Sequence, residues 1–143
     1  MSEPLLVQLA RRLAVAPGDN KRKRARLHLL DWLACVAGAR ASVPARCSPT
    51  ERPDPVISAA MASNVLEMDD VHRTALLHPG PVVWGAALGN AAVGMTAVLD
   101  VAIRGYEAMI AIGGALDAYH YAHWHPTATA GVFGAAAAYS SHM

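Results

Sequence analysis

Two clusters in the second half of the chain have residue types and spacing that could do chemistry. The first places three carboxylates, two imidazoles and a guanidinium within twelve positions, at Glu67, Asp69, Asp70, His72, Arg73 and His78. Close like charges raise a carboxyl pKa, and an arginine can hold a substrate carboxylate by a two-point contact. The cluster could therefore organise proton transfer on an anionic substrate. The alternative, that Asp69 and Asp70 only cap loop amides, stays open.

The second cluster is the segment HYAHWHPT, with histidines at positions 120, 123 and 125 followed by Thr127. His120 and His123 share one helical face, and His125 precedes a helix whose free backbone N–H groups favour an anion. His125 could be catalytic or substrate-binding, or the histidines could belong to the core or the surface. A metal with Asp69 or Asp70 as a further ligand is conceivable, but no standard zinc spacing is present. We predict no metal site.

These clusters need a scaffold, and the composition predicts one compact domain over residues 1–143. The chain is 54% hydrophobic and 16% charged, which supplies ample core and excludes disorder. Residues 1–52 hold ten basic and four acidic residues (+6), whereas residues 53–143 hold two basic and seven acidic residues (−5). The first segment resembles a scaffold and the second a site. We read Cys35 and Cys47 as free thiols.

The hydrophobic periodicity predicts an all-α fold of five to six helices. A first helix carries Leu5, Leu6, Leu9 and Leu13, and a second carries the stripe Leu29, Leu30, Leu33 and Val36. Further helices are expected from Asp54-Pro55, over residues 82–94 and 95–119, and from Pro126, with loops over 39–54 and 69–81. We expect Asp100, Arg104 and Glu107 to form ion pairs along one helix face. The glycines of the later helices predict close packing.

Composition and patterning also restrict the partners and the location. The run Lys21-Arg22-Lys23-Arg24 lacks interleaved aromatics, so it predicts a solvated face and no nucleic-acid partner. Residues 81–99 carry no formal charge, but alanine and glycine dominate them, so we predict a core helix and no membrane partner. Arginines interrupt the amino-terminal apolar pattern, which is unlike a signal peptide, so a cytoplasmic location is expected.

Six segments together resemble the MmgE/PrpD family, which includes 2-methylcitrate dehydratase, cis-aconitate decarboxylase and iminodisuccinate epimerase. In chain order they are LARRLA, LLDWLACVAGA, ASNVLEMDDVH, ALLHPGPVV, AIRGYEAMIAIGGAL and HWHPTATAGVFGAAAA. The resemblance implies the family's helical domain, a cytoplasmic enzyme, no obligatory cofactor, and chemistry at a carbon next to a carboxylate. We expect the chain to correspond to that helical domain in truncated form.

The resemblance also implies roles for individual residues. His78 matches the histidine of the family's HPG segment and His125 that of its HPT segment, and both line the family's active site. Asp69 and Asp70 match the family's paired aspartates, and Glu67 stands where the family usually has aspartate. Catalytic residues are therefore expected at His78, His125, Asp69 and Asp70. Substrate contacts are expected at Glu67, His72, Arg73 and Thr127.

The leading hypothesis is a lyase acting on a small carboxylate or carbonyl compound. One of His78 and His125 would remove the proton next to the carboxylate or carbonyl, and the other would assist departure or bind the anion. Dehydration or another elimination, decarboxylation and epimerisation all stay open. The alternative is a noncatalytic helical binding module, or one subunit of a split enzyme. The expected partner is a second copy of the chain, or a chain that supplies the family's second domain.

Overall fold

The computed structural model describes residues 3–42, 54–89 and 94–140, and these residues form seven helices. The helices are α1 (Leu5–Ala14), α2 (Asp19–Ala39), α3 (Pro55–Asn64), α4 (Pro79–Gly89), α5 (Met95–Gly113), α6 (Ala118–His123) and α7 (Pro126–Ser140). No strand occurs within those ranges. The predicted all-α fold is confirmed.

Prolines and one aspartate set the starts of the helices that carry the site. Asp54 caps α3, because its carboxylate accepts hydrogen bonds from the backbone N–H groups of Val56 (2.8 Å) and Ile57 (3.2 Å). Helix α7 begins at Pro126 as predicted. Helix α4 begins at Pro79, earlier than the predicted residue 82, because proline suits the first turn of a helix, where no N–H partner is needed.

The predicted helix over 95–119 is interrupted, and this adds a seventh helix to the expected five or six. Helix α5 ends at Gly113, and the chain turns through Gly114. The carboxylate of Asp117 then accepts a 2.8 Å hydrogen bond from the N–H of His120 and starts the short helix α6. The two adjacent glycines and the capping aspartate favour a break over a continuous helix.

The core lies where α4, α5 and α7 meet, and its largest fully buried side chains include Trp84, Leu77, Leu99 and Met109. Helices α5 and α7 cross at glycines on both sides. A Cβ at Gly105 would lie 3.0 Å from the carbonyl oxygen of Gly134, and a Cβ at Gly134 would lie 2.8 Å from Cβ of Met109. The expected close packing is therefore present, and it brings the first turn of α7 against α4.

Helix α2 packs through only part of its predicted stripe, since Leu29 and Val36 lie in or against the core. Leu29 is buried, together with Ala25, Trp32 and Cys35, whereas Leu30 and Leu33 are exposed. The prediction of Leu30 and Leu33 as core residues is therefore wrong. Leucines occur around most of this helix, so periodicity alone does not select the face that meets α5. Cys35 is a free thiol, as expected, and Cys47 lies outside the described residues.

Ion pairs between α2 and α5 replace those expected along α5. Arg22 donates two hydrogen bonds to Asp100, at 2.7 and 2.9 Å, and Lys21 pairs with Glu107. Arg104 instead donates to the carbonyl oxygen of Leu13, at 2.9 Å. The prediction of pairs within one helix is wrong, because the acidic residues of α5 face the basic start of α2. None of the described helices is long and apolar enough to cross a membrane.

Candidate active site

His78 and Asp69 form a hydrogen-bonded pair at the start of α4. His78 Nδ1 lies 2.9 Å from Oδ2 of Asp69, whose side chain is 1% exposed. The other oxygen of Asp69, Oδ1, accepts a 3.1 Å hydrogen bond from the side-chain amide of Asn64. A carboxylate at Nδ1 fixes the proton on that nitrogen, so Nε2 of His78 carries the free lone pair. His78 is thereby oriented as a base.

His125 faces His78 at the start of α7, with 6.3 Å between the ring centroids. Thr127 connects the two segments: its hydroxyl accepts a 2.9 Å hydrogen bond from the N–H of His78, and its own N–H lies 3.3 Å from Nδ1 of His125. Because Nδ1 of His125 accepts a hydrogen bond, the proton of a neutral ring sits on Nε2. His125 is thereby oriented as a donor, opposite in character to His78.

The two histidines line one pocket of about 810 Å³ between α3, α4 and α7, which we call the histidine pocket. Its polar end comprises Asn64, Glu67, His78, His125 and Thr127, and its walls are apolar side chains including Met61, Val82 and Val132. No lysine or arginine of the described residues lines it. His78 and His125, which the resemblance assigns to one active site, therefore line the same pocket, and Asp69 lies beside His78.

Asp70 points away from the histidine pocket, although it follows Asp69 directly. Its Oδ1 accepts a 2.8 Å hydrogen bond from the N–H of Gly80. Its Oδ2 accepts a 2.6 Å bond from the hydroxyl of Tyr106 and lies 2.8 Å from Nδ1 of His28. These three contacts join the loop to α2, α4 and α5. The cluster formed by His28, Asp70, Gly80 and Tyr106 is called the Asp70 cluster below.

The other predicted residues of the first cluster have different environments. Glu67 lines the histidine pocket with a backbone φ of 49°, a left-handed value that costs of order 1 kcal/mol or more for a non-glycine residue. His72 pairs through its backbone with Leu77, and its Nδ1 lies 3.2 Å from the N–H of Ala75. Arg73 is exposed, and the structure brings neither His72 nor Arg73 to the pocket.

His120 and His123 lie on α6 outside the histidine pocket. His120 Nε2 is 2.9 Å from the hydroxyl of Thr129, and His123 Nδ1 is 2.8 Å from the carbonyl oxygen of Tyr119. Within residues 3–42, 54–89 and 94–140, no three His, Cys, Asp or Glu side chains are grouped so that they could hold a metal ion. The contacts on α6 therefore support local structure.

One comparison with known proteins finds a match to part of this sequence. The sequence model of the MmgE/PrpD N-terminal domain matches residues 46–143. The chain belongs to the MmgE/PrpD family. No curated protein and no solved structure matches the chain.

The MmgE/PrpD match contains the whole histidine pocket and leaves out helices α1 and α2. The segments LARRLA and LLDWLACVAGA, which contributed to the resemblance, therefore lie before the matched residues. One member of the Asp70 cluster, His28, also lies outside them. The matched part of this MmgE/PrpD chain thus supplies the pocket, and α2 supplies a contact behind it.

Three residues with direct contacts to the paired aspartates escaped the sequence reasoning. Asn64 lies inside the segment ASNVLEMDDVH, five positions before Asp69, so its place in an MmgE/PrpD motif was an available signal. Tyr106 lies among apolar residues of the helix predicted over 95–119, and the signal available was that a tyrosine hydroxyl needs a partner when its ring is buried. His28 had no local signal, because its contact with Asp70 spans 42 positions.

The contacts within the Asp70 cluster stabilise the charged forms of both Asp70 and His28. Burial opposes ionisation of Asp70, but hydrogen bonds from His28, Tyr106 and Gly80 outweigh burial and hold its pKa below the ordinary 3.8. The hydrogen bond to Asp70 raises the pKa of His28 above the ordinary 6.5, against the opposing effect of burial. Burial and the charge of Asp70 raise the pKa of Tyr106, which keeps its hydroxyl protonated as a donor.

These shifts predict how stability depends on pH. The raised pKa of His28 stabilises the fold below pH 6.5, and this contribution is lost as the pH rises through the higher folded value. The lowered pKa of Asp70 stabilises the fold above pH 3.8 and is lost as the pH falls through the lower folded value. The contribution of the pair to the free energy of unfolding should therefore be greatest between those two pH values.

The pH dependence is checked by measuring the free energy of unfolding in urea at several pH values, for the wild type and for His28→Asn. Because the His28 side chain is 40% exposed, solvent screens the pair, and the variant should lose at most about 1 kcal/mol near pH 5.5. Its stability should also vary less between pH 6 and 8. His123→Asn, at an exposed histidine, should keep the wild-type slope. An unchanged slope in His28→Asn would contradict the assignment.

Proposed function

We propose that this MmgE/PrpD chain provides an acid–base site for a lyase reaction on a small carboxylate or carbonyl compound. The observation that carries the proposal is the opposite polarity of the two imidazoles. Asp69 holds the proton on Nδ1 of His78, and the N–H of Thr127 directs the proton of His125 to Nε2. One ring offers a lone pair and the other a proton to the same pocket.

In the proposed reaction, Nε2 of His78 removes a proton from the carbon next to the carboxylate or carbonyl group. The C–H bond breaks, the proton moves to His78, and the electron pair enters the adjacent carbon–oxygen system as an enolate. Nε2–H of His125 then gives its proton to a departing group, or hydrogen-bonds the enolate oxygen. Asp69 stabilises the cationic ring of His78. Each proton-transfer role is worth roughly 10²–10⁴-fold in rate.

The chemistry of the pocket wall favours a particular substrate. No lysine or arginine is among the pocket-lining residues of the described chain, and Glu67 adds a carboxylate. A substrate with several carboxylates would lack cationic partners there. A substrate with one carboxylate or carbonyl group could place it against the histidines and the amino ends of α4 and α7. The apolar walls would accept an alkyl part. The substrate proposed is therefore a small acid or carbonyl compound with one polar end.

Asp70, His72 and Arg73 have no direct catalytic or substrate-binding role in this proposal. Asp70 is occupied by its three partners, and His72 shapes the turn that ends at Leu77. Glu67 and Thr127 keep their proposed substrate contacts, because both line the histidine pocket. The proposal requires no metal or organic cofactor.

The alternative function is binding without chemistry, or a split enzyme completed by another chain. It is favoured by the open side of the histidine pocket, where Met61 and Val132 of the wall are exposed. We propose that a second copy of the chain, or a chain carrying the family's second domain, covers apolar surface of this kind. The glycine-rich helices α4, α5 and α7 pack against other helices of the same chain, so they are poor candidates for a homo-oligomer interface. The exposed leucines of α2, Leu27, Leu30 and Leu33, are a better candidate for that contact.

The proposal is tested by α-proton exchange in D₂O. The purified chain is incubated with short monocarboxylic and keto acids bearing alkyl groups, and with di- and tricarboxylic acids, and exchange is followed by NMR. We expect exchange or net turnover with a compound that has one polar end and an alkyl part. We expect weaker exchange, or none, with tricarboxylic acids. His123→Asn should behave as the wild type. Binding without exchange or turnover across the panel would favour the noncatalytic alternative.

A further inference from the structure

The Asp70 cluster reaches the start of α4 from the side opposite the histidine pocket. Oδ1 of Asp70 accepts the N–H of Gly80, which lies two residues after His78 in the first turn of that helix. A Cβ at Gly80 would lie 2.6 Å from the same oxygen and 3.3 Å from the hydroxyl of Tyr106. The contact leaves little free space, so a displacement of the Asp70 carboxylate would displace the first turn of α4.

Asp69 and Asp70 therefore hold the same short segment from two sides. Asp69 fixes the ring of His78, and Asp70 fixes the backbone that carries it. Of the three donors to Asp70, the Gly80 amide and the Tyr106 hydroxyl stay protonated through the neutral range, whereas a histidine gains or loses charge there. His28 is the variable member of the Asp70 cluster.

We propose that His28 is a positioning residue whose protonation state controls the placement of His78, because Asp70 hydrogen-bonds both His28 and the N–H of Gly80. Protonated His28 makes a charge-assisted hydrogen bond to Asp70, and neutral His28 makes a weaker one. The proton exchanges with solvent, because the His28 side chain is 40% exposed. The coupling between His28 and the segment that carries His78 is inferred from the hydrogen bonds of Asp70 alone. Only the effect of this coupling on turnover rests on the proposed function.

Charged and titratable groups around His28 set the pH at which its ring gains or loses a proton. On α2, Asp31 favours the protonated ring and Arg24 opposes it. From the loop, Asp70 favours protonation. From α5, Tyr106 and Glu107 line the same cleft as His28, and Glu107 is paired with Lys21. The hydrogen bond to Asp70, helped by the charges of Asp70 and Asp31, outweighs burial and Arg24, so the pKa of His28 lies above its ordinary 6.5.

The coupling is tested by NMR titration between pH 5 and 8 without substrate. In the wild type, the Gly80 amide and the ring protons of His78 should show an inflection at the pH at which the His28 ring titrates. In His28→Asn, which keeps a donor near Asp70 but does not titrate, that inflection should disappear. His120→Asn, on α6, should retain it. An inflection that persists in His28→Asn, or its absence in the wild type while His28 titrates, would overturn the proposal.

A second variant keeps the test decisive if His28→Asn does not fold. Tyr106→Phe removes one donor from Oδ2 of Asp70, so more of the carboxylate charge acts on His28. The inflections of His28 and of the Gly80 amide should then move together to higher pH. Movement of the His28 inflection alone would overturn the coupling. Because no substrate is present, a failure of the proposed lyase chemistry would leave this result unaffected, and the two failures can be told apart.

Discussion

His78→Asn is expected to lower turnover, or α-proton exchange, by roughly 10²–10⁴-fold while leaving the helical content unchanged. The asparagine amide can still donate to Oδ2 of Asp69, which His78 Nδ1 contacts at 2.9 Å, so the buried carboxylate keeps a partner. The variant lacks the nitrogen that corresponds to Nε2, and with it the proposed base. The effect is measured on the acid that gives the fastest exchange with the wild type.

The matched control is His123→Asn, which makes the same chemical change at an exposed histidine of α6. Within the described part of the chain, the contacts of His123 are local, to the carbonyl oxygen and ring of Tyr119 and to the ring of Trp124. Activity should therefore stay within about twofold of the wild type. Circular dichroism and thermal unfolding show whether both variants are folded. Full activity in folded His78→Asn would remove the chemical basis of the lyase proposal.

Gly105→Ala is expected to destabilise the fold strongly, because α5 has no room for a methyl group where it crosses α7. The added Cβ would lie 2.9 Å from Cγ1 of Val83 and 3.0 Å from both Cβ of Ala138 and the carbonyl oxygen of Gly134. One of these contacts is to backbone, so the helices must separate. Overpacking of this kind costs about 1–3 kcal/mol, which should appear as a fall of several degrees in Tm.

Gly38→Ala is the control for the Gly105 variant, since it makes the same substitution in the last turn of α2. Of the residues that the structure describes, a Cβ there would meet only Cδ1 of Leu66, at an ordinary 3.5 Å. Alanine has the higher helix propensity, so this variant should be neutral or more stable by up to about 1 kcal/mol. Equal destabilisation by the two substitutions would contradict the inferred crossing of α5 and α7.

The helices could be predicted from sequence because their start signals act within a few residues. The faces they bury and the partners of their charged residues could not, because these depend on long-range contacts. Asp54 and Pro126 mark helix starts through backbone preferences that act within a few residues. The buried face of α2 and the partners of Asp100 depend on how distant helices meet, as in the Arg22–Asp100 contact across 78 positions. No local pattern carries that information.

The candidate site could likewise be predicted only in part from the sequence. The resemblance to the MmgE/PrpD family indicated His78 and His125 as residues of one active site, and their rings do face one pocket. The choice between Asp69 and Asp70 could not be made from sequence, because the two aspartates differ by only one position in their spacing to every motif. The acid and base assignment also required the structure, since it depends on which ring nitrogen contacts Asp69 or Thr127.

The opposite orientations of Asp69 and Asp70 restrict how the loop between α3 and α4 can change length. Inserting or deleting one residue between Asp70 and His78 would alter the register, and the two carboxylates could no longer reach the ring of His78 and the amide of Gly80 together. Exposed loop positions such as Val71 and Arg73 can vary in side chain at little structural cost. Among homologous sequences, this segment should therefore tolerate substitution far better than insertion or deletion.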